Sequence, residues 1–272
     1  MSFTLTYGWL IAINIIGMIR LYVINVIRKR ADIVDIGWAI CLIVNALLPA
    51  LNRHINDPSV PLTLWCFPLL FIMWYVRLAT HLVTRYVRSP EEDARYTALR
   101  RKLAQRQHLG LFIIFIAQAL LALGLSFPLW QWATLSNDVI ASISTVQWGI
   151  LYTWVLCSLI GQLLADKQLS DFKKDPSNNG QVMQSGLWKH SRHPNYFCEW
   201  LFWLHVALLG WWIDHLAWMI YPVIMYGFLR YFTGIPFSEQ QAHAHRGEQY
   251  VRYQAITPAF FPWKINTHTR SN

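Results

Sequence analysis

In the stretch Gly186 to Trp203, GLWKHSRHPNYFCEWLFW, a polar block runs directly into an apolar, tryptophan-rich segment. Arg192 and His193 stand where that segment begins. Pro194 fits the first turn of a helix, and Asn195, Tyr196 and Glu199 follow inside it. Asn195, Glu199 and Phe202 share one helical face, with Tyr196 beside them. Arg and His at a helix start suit phosphate, because the first backbone N–H groups have no partner within the helix. Asn, Tyr and Glu a turn deeper suit hydroxyls and amides. The plainer reading is a capped helix that tolerates one glutamate.

Other polar groups break apolar segments in ways that ask for a partner. Gln162, Asp166 and Lys173 are spaced i, i+4 and i+11, one helical face. Asp166 near a helix C-terminus has the wrong sign for the macrodipole, so it should be held by something. Arg77, His81, Arg85 and Arg88 fall at i, i+4, i+8 and i+11, a cationic stripe suited to phosphate or carboxylate. Glu91, Glu92 and Asp93 then either pair with that stripe or open a helix after Pro90. Asp32 reads as a helix cap; Asp35, a turn further in and followed by Gly37 and Trp38, reads equally as structure or function. The tail carries Glu239, His243, His245, Arg246, Tyr250 and Tyr253. Two histidines at i and i+2 without a third ligand do not make a metal site. No GxGxxG or Walker loop occurs, so neither standard soluble nucleotide fold is indicated.

The elements that position these groups are membrane spans. The chain has 272 residues, 55% hydrophobic and only 14% charged, where soluble chains average about 25% charged. Its apolar residues come in blocks near the roughly 20 residues a bilayer requires. About seven such blocks are expected, at 8–27, 33–51, 61–84, 109–134, 145–165, 196–213 and 216–233. Only Asp214 and His215 separate the last two, which should form a tight helical hairpin. The first block ends in Arg28, Lys29 and Arg30 with no small-residue cleavage site, so it reads as a signal anchor.

Every second connection is basic. Arg28–Arg30 follow the first span, Arg88, Arg95, Arg100, Arg101, Lys102 and Arg106 the third, and Lys167, Lys173, Lys174, Lys189 and Arg192 the fifth. Arg246, Arg252, Lys264 and Arg270 lie in the tail, while the alternate connections hold only Arg53. The positive-inside rule then places the N-terminus outside and the tail in the cytoplasm. It also accounts for the net charge of +9 without nucleic acid. Cys41, Cys66, Cys157 and Cys198 all fall in or against apolar segments and form no CxxC, so they read as small hydrophobes.

Four segments carry a family resemblance: ADIVDIGWAI, RLATHLVTRYVRSPEEDARYTALR, SGLWKHSRHPNYFCEWLFW and YFTGIPFSEQQAHAHRGEQYVRYQAITPAFFPW. In this order they resemble the bacterial membrane proteins of the domain of unknown function 1295 family, which groups with the steroid 5-alpha-reductases. The resemblance runs from about residue 31 to 263. It implies one membrane domain over 1–272, with substrate-side helices at 8–134 and a cofactor-binding region at 145–263. It also implies an inner-membrane reductase that uses NADPH on a double bond conjugated to a carbonyl, in a lipid or sterol-like substrate drawn from the bilayer. Gln162 stands at a reductase Asn, Asp166 at their Asp, and Lys173 at an Arg. Asn195 and Glu199 match the Asn-Tyr-Phe-Gly-Glu block. Arg192, His193, Tyr196, Glu239, Arg246 and Tyr250 complete the expected cofactor set, and Asp35, His81 and Tyr96 are the acid candidates. As a donor at neutral pH, a carboxylic acid would need burial to keep its proton.

The chain departs from that pattern in two places. Cys198 replaces the usual Gly, and the early Gln-Glu pair that engages the ketone in animal reductases is absent. A second resemblance competes. The Arg-His-Pro-x-Tyr block followed by Glu239 is similar to isoprenylcysteine carboxyl methyltransferases, which bind S-adenosylmethionine, although Gln240 replaces their second acid.

Overall fold

A computed structural model describes residues 6–263, in which every regular element is helical. Lys264 and Arg270 lie outside the described residues. Five helical runs are long and apolar enough to cross a bilayer. They are α1 (Tyr7–Arg28), α2 (Ile33–Asn56), the run Leu62–Arg88 ending in α3 (Cys66–Arg88), the run Ala94–Thr134 that joins α4 (Ala94–Leu103) to α5 (Gln107–Thr134), and α7 (Thr145–Lys174) after the short α6 (Asn137–Ser142). The chain is an all-α, multi-pass membrane protein. The two remaining expected spans correspond to α8 (Pro194–Trp212) and to 216–232, and the latter is not one regular helix. It runs as a 3-10 turn, Leu216–Met219, then α9 (Ile220–Gly227), then a π-helical turn, Phe228–Phe232. Thr233 closes that turn by donating from both its N–H and its hydroxyl to the Phe228 carbonyl. Asp214 takes a positive φ of 58° at the expected hairpin.

The described chain forms two compact units, Met1–Ser144 and Thr145–Asn272. In the first, α2 packs along α3 and α5, and α1 packs on α5. A polar rung that hydropathy does not reveal crosses its apolar interior. Asn14 donates to Asn45 at 2.7 Å, and Asn45 donates to the Ser126 hydroxyl at 2.9 Å, all three buried. In a medium without water such groups must satisfy one another, which fixes the register of α1, α2 and α5.

The connections 29–32 and 89–93 meet at one end of this unit. Arg30 donates to the carbonyls of Tyr86 and Ser89, and Glu92 accepts from the Ala31 N–H at 2.6 Å and from Arg100. Asp32 precedes α2 as expected but makes no side-chain cap; it pairs with Arg30 at 2.7 Å instead. A guanidinium two residues away is a stronger partner than a backbone N–H. At the other end Arg53 binds Asn137 and Asp57.

In the second unit α7 lies along α8, and α8 turns back on α9. The tail is a helix, α10 (Ile235–Ile256), interrupted at Gly247. There φ is 50° and ψ −126°, a conformation that side chains disfavour, so the glycine lets α10 change direction just after Arg246. The end of α10 and the segment after it are tied to the residues before α8. Arg192 N–H donates to Pro258 O at 2.9 Å, the Ser191 hydroxyl to Phe260 O at 2.8 Å, and the Tyr253 hydroxyl to Trp188 O.

Candidate functional site

Of the expected cofactor residues of the second unit, Gln162, Asp166, Asn195 and Glu199 meet between α7 and α8, and Arg192 and His193 meet Glu239 of α10, while Lys173 and Arg246 touch neither group. α7 presents Gln162 and Asp166, the start of α8 presents Arg192 to Glu199, and α10 presents Glu239 to Tyr250. Because α7 and α8 lie side by side, their polar faces meet in two rungs. Asn195 donates to Asp166 at 3.2 Å; α7 runs on to Lys174, so Asp166 lies inside the helix and not at the C-terminus expected for it, where the macrodipole would act. Deeper in, Gln162 donates to Glu199 at a long 3.4 Å. Gln162 and Glu199 are only 7% and 8% exposed. The Gln162 carbonyl oxygen is buried without a hydrogen-bond donor. A buried acceptor left unmatched costs on the order of 1–3 kcal/mol. Cys198, at the family's glycine position, packs against Gly161, where any added Cβ would lie 2.8 Å from its sulfur.

At the mouth, Arg192 is consumed by the protein. Its Nε and Nη2 reach Glu239 at 2.8 and 2.7 Å, and its Nη1 reaches the carbonyls of Thr257 and Gln254. The expected phosphate ligand is therefore a pin that fastens the tail to the start of α8. His193 also reaches Glu239, at 3.4 Å, stacks on Tyr196, and is N-cap to α8 without a capping side-chain bond. The Tyr196 hydroxyl meets Ser238 at 3.0 Å. Burial pushes the Glu239 carboxyl up, but hydrogen bonds from His193 and Arg192 together with the Arg192 charge outweigh it and hold it down to about 2. Burial lowers His193 below its ordinary value, against the opposing pull of Glu239. Tyr250, also beside this knot, is pushed up to about 12 by burial and by the charge of Glu239. Arg246 anchors elsewhere, donating to Gln181 O at 2.7 Å.

The acid candidates belong to the first unit. Tyr96 and Asp35 are joined: the Tyr96 hydroxyl donates to Asp35 Oδ1 at 2.6 Å. Asp35 also pairs with Arg95 at 2.9 Å and lies 3.9 Å from Arg85, which in turn pairs with Asp93 at 3.2 Å. Burial raises the Asp93 carboxyl, but Arg95 and Arg85 win and hold it below its ordinary value. Asp93 also caps α4 by accepting from the Arg95 N–H. Both readings of the acidic run therefore apply. Asp35 has the contacts of an acceptor, not of the protonated donor expected of it; the group in this pair that offers a proton is Tyr96. His81 is exposed, one turn before Arg85 on α3.

The family described as Protein of unknown function (DUF1295) matches residues 21–257. The chain belongs to it. The match spans both units, from within α1 to the end of α10. No curated protein and no solved structure matches this DUF1295 chain. Sequence reasoning missed several of its site contacts. Gln254 donates to Glu239 at 3.0 Å, and Arg95 is the main cation on Asp35. Gln254 is distant in sequence from its partners and carried no signal. Arg95 did carry one, being a basic residue two positions after Asp93 at the expected start of α4.

Proposed function

We propose that this protein is a membrane-embedded, NADPH-dependent reductase acting on a carbon–carbon double bond conjugated to a carbonyl in a hydrophobic, bilayer-borne substrate. The observation that carries the reading is the Gln162–Glu199 rung: a carboxylate and an unmatched amide oxygen, both buried and adjacent. A buried amide oxygen without a donor suits an amide or amine N–H, which NADPH offers in its carboxamide and its adenine. Asn195 and Asp166 add a second rung suited to hydroxyls. NADPH supplies the hydride when bound; the chain supplies binding, orientation and proton control. Gln162, Asp166, Asn195 and Glu199 hold the cofactor's polar groups, and Tyr196 and His193 stack at the mouth. Arg192 and Glu239 fasten the tail beside them. In the first unit, Asp35 fixes the Tyr96 hydroxyl, and Arg95 fixes Asp35. That single O–H is donated to Asp35 in this structure, so it would polarise a carbonyl oxygen only by turning from the carboxylate to the substrate.

The test is Glu199→Gln and Gln162→Leu in purified, detergent-solubilised protein. Each should weaken NADPH binding by roughly tenfold or more, as expected when a buried hydrogen-bonding group is lost. Unchanged binding in both variants would misplace the cofactor. One observation favours a second reading, the S-adenosylmethionine-dependent methyltransferase: Glu239 is paired with the Arg of its Arg-His-Pro-x-Tyr block, joining the two motifs that resemblance rests on.

A further inference from the structure

Acids and cations do not balance at the end of the first unit where the connections 29–32 and 89–93 meet. Each acid that is buried or half-buried there already has a guanidinium. Asp32 has Arg30 at 2.7 Å, Asp35 has Arg95 at 2.9 Å, Glu92 has Arg100 at 3.0 Å and Asp93 has Arg85 at 3.2 Å. The cations left over are Arg28, Lys29, Arg88, Arg101, Lys102 and Arg106, all exposed and none in an ion pair among the described residues. Among the described residues of this end, Glu91 is the one exposed acid. At the opposite end of the unit Arg53 is offset by Asp57 at 3.3 Å.

Hydrogen bonds bring the segments that carry these cations together. Arg30 donates to the Tyr86 and Ser89 carbonyls, which holds the end of α3, with Arg88, against the residues that follow Arg28 and Lys29. Arg100 donates to Asn25 at 2.7 Å, and the Tyr22 hydroxyl donates to the His108 carbonyl at 3.0 Å. The stretch 100–108, with Arg101, Lys102 and Arg106, therefore lies along the last turns of α1. Directly beside the cations the surface turns apolar. Ile27, Val87 and Leu109 are 74%, 75% and 60% exposed, each within three residues of Arg28, Arg88 or Arg106. Val23, Val83 and Ile113, also exposed, continue those faces one turn further into the spans.

We infer that this end of the first unit binds anionic phospholipid, with phosphodiester groups among Arg28, Lys29, Arg101, Lys102 and Arg106 and acyl chains on α1 and α5. A cationic rim above exposed apolar helix faces complements a phospholipid at both of its ends, the anionic head and the chains. A nucleic acid or an acidic protein would match the charges and leave the apolar side chains beside them uncovered. Basic connections are enough to orient the spans. Here the fold goes further: it commits the acids of the same connections to internal guanidinium partners and leaves the outer cations unopposed. The site is independent of the reductase reading and uses none of its residues.

The experiment uses the full-length protein in uncharged detergent and reads thermal stabilisation as phosphatidylglycerol or phosphatidylcholine is added in mixed micelles, at low and at high salt. Two double variants remove cations from the site: Arg28→Gln with Arg106→Gln, and Arg101→Gln with Lys102→Gln. A third, Lys167→Gln with Lys174→Gln, lowers the net charge equally at cations of the second unit that Asp171 already offsets. Each variant is compared with its own melting temperature in phosphatidylcholine, so any loss of fold is read separately. Phosphatidylglycerol should stabilise the wild type at concentrations at least tenfold below phosphatidylcholine, and salt should narrow that difference. One Lys or Arg near an anionic surface is worth about fivefold in affinity, so each site variant should need about tenfold more phosphatidylglycerol or beyond, and the third variant should match wild type. An equal response to the two lipids, an unchanged response in both site variants, or an equal loss in the third variant overturns the inference. So does stabilisation of the wild type by inorganic phosphate or an RNA oligonucleotide in place of the lipid.

Discussion

Glu239→Gln tests how far one carboxylate holds the tail against the start of α8. Glu239 takes two bonds from Arg192 and one each from His193 and Gln254, and the Arg192 side chain it satisfies is only 10% exposed. The fall of its pKa from 4.5 to about 2 sets a ceiling of roughly 3.5 kcal/mol, at about 1.4 kcal/mol per tenfold change in proton affinity. Its own side chain is 18% exposed and is open to solvent screening, which reduces the expected loss to about 1–2 kcal/mol. The sign follows from linkage. The folded protein binds this proton less readily than the unfolded chain does, so the contribution is complete above about pH 4.5 and is lost as pH falls toward about 2. His193, lowered by burial, adds a loss of stability below its ordinary 6.5, and more of it in the variant, where the upward pull of Glu239 is gone; at pH 7 it is absent from both. The quantity to read is therefore the difference between the two. Thermal unfolding in detergent should show the variant melting a few degrees lower at pH 7, with the gap closing between pH 4.5 and 2.5. A gap absent at pH 7, or one that persists undiminished at pH 2.5, would refute the assignment of this knot to an ionised Glu239.

Other expectations follow from the same kind of contact. Tyr96→Phe removes a 2.6 Å bond to a carboxylate and should cost about 2 kcal/mol; in a double-mutant cycle with Asp35→Asn, a coupling energy near zero would separate the two residues. Asn45→Ala breaks the rung between Asn14 and Ser126 and should lower stability by about 0.5–2 kcal/mol, measured by unfolding in mixed micelles. Single cysteines introduced at Asn137 and Asn179 should be labelled from opposite faces of the membrane; labelling from one face would contradict the alternating topology.

The spans, the hairpin at Asp214 and the site faces of α7 and α8 were legible because each follows from a periodicity or a sign. Apolar length gave α1, α2, α3, α5 and α7. The spacing of Asn195 and Glu199 put them on the side that meets Asp166 and Gln162. Asp166 has a partner in Asn195, but not for the reason expected: α7 continues past it to Lys174, so it does not sit at a helix end. What escaped depends on contacts far apart in sequence. Nothing in Arg192 itself announces that carbonyls at 254 and 257 will absorb its donors, so it read as a phosphate ligand when it is a pin. Asp35, a turn inside α2, reads equally as structure or function from its local sequence; Arg95 and Arg85, from two other helices, are its partners in space. The Asn14–Asn45–Ser126 rung stayed hidden because single polar residues barely change the hydropathy of a span.

The most direct test of the central claim is which nucleotide stabilises the purified full-length protein. NADPH should raise the apparent melting temperature in a concentration-dependent way, S-adenosylmethionine should not, and Glu199→Gln should suppress the NADPH response. Stabilisation by S-adenosylmethionine alone would contradict the reductase account and carry the methyltransferase reading in its place.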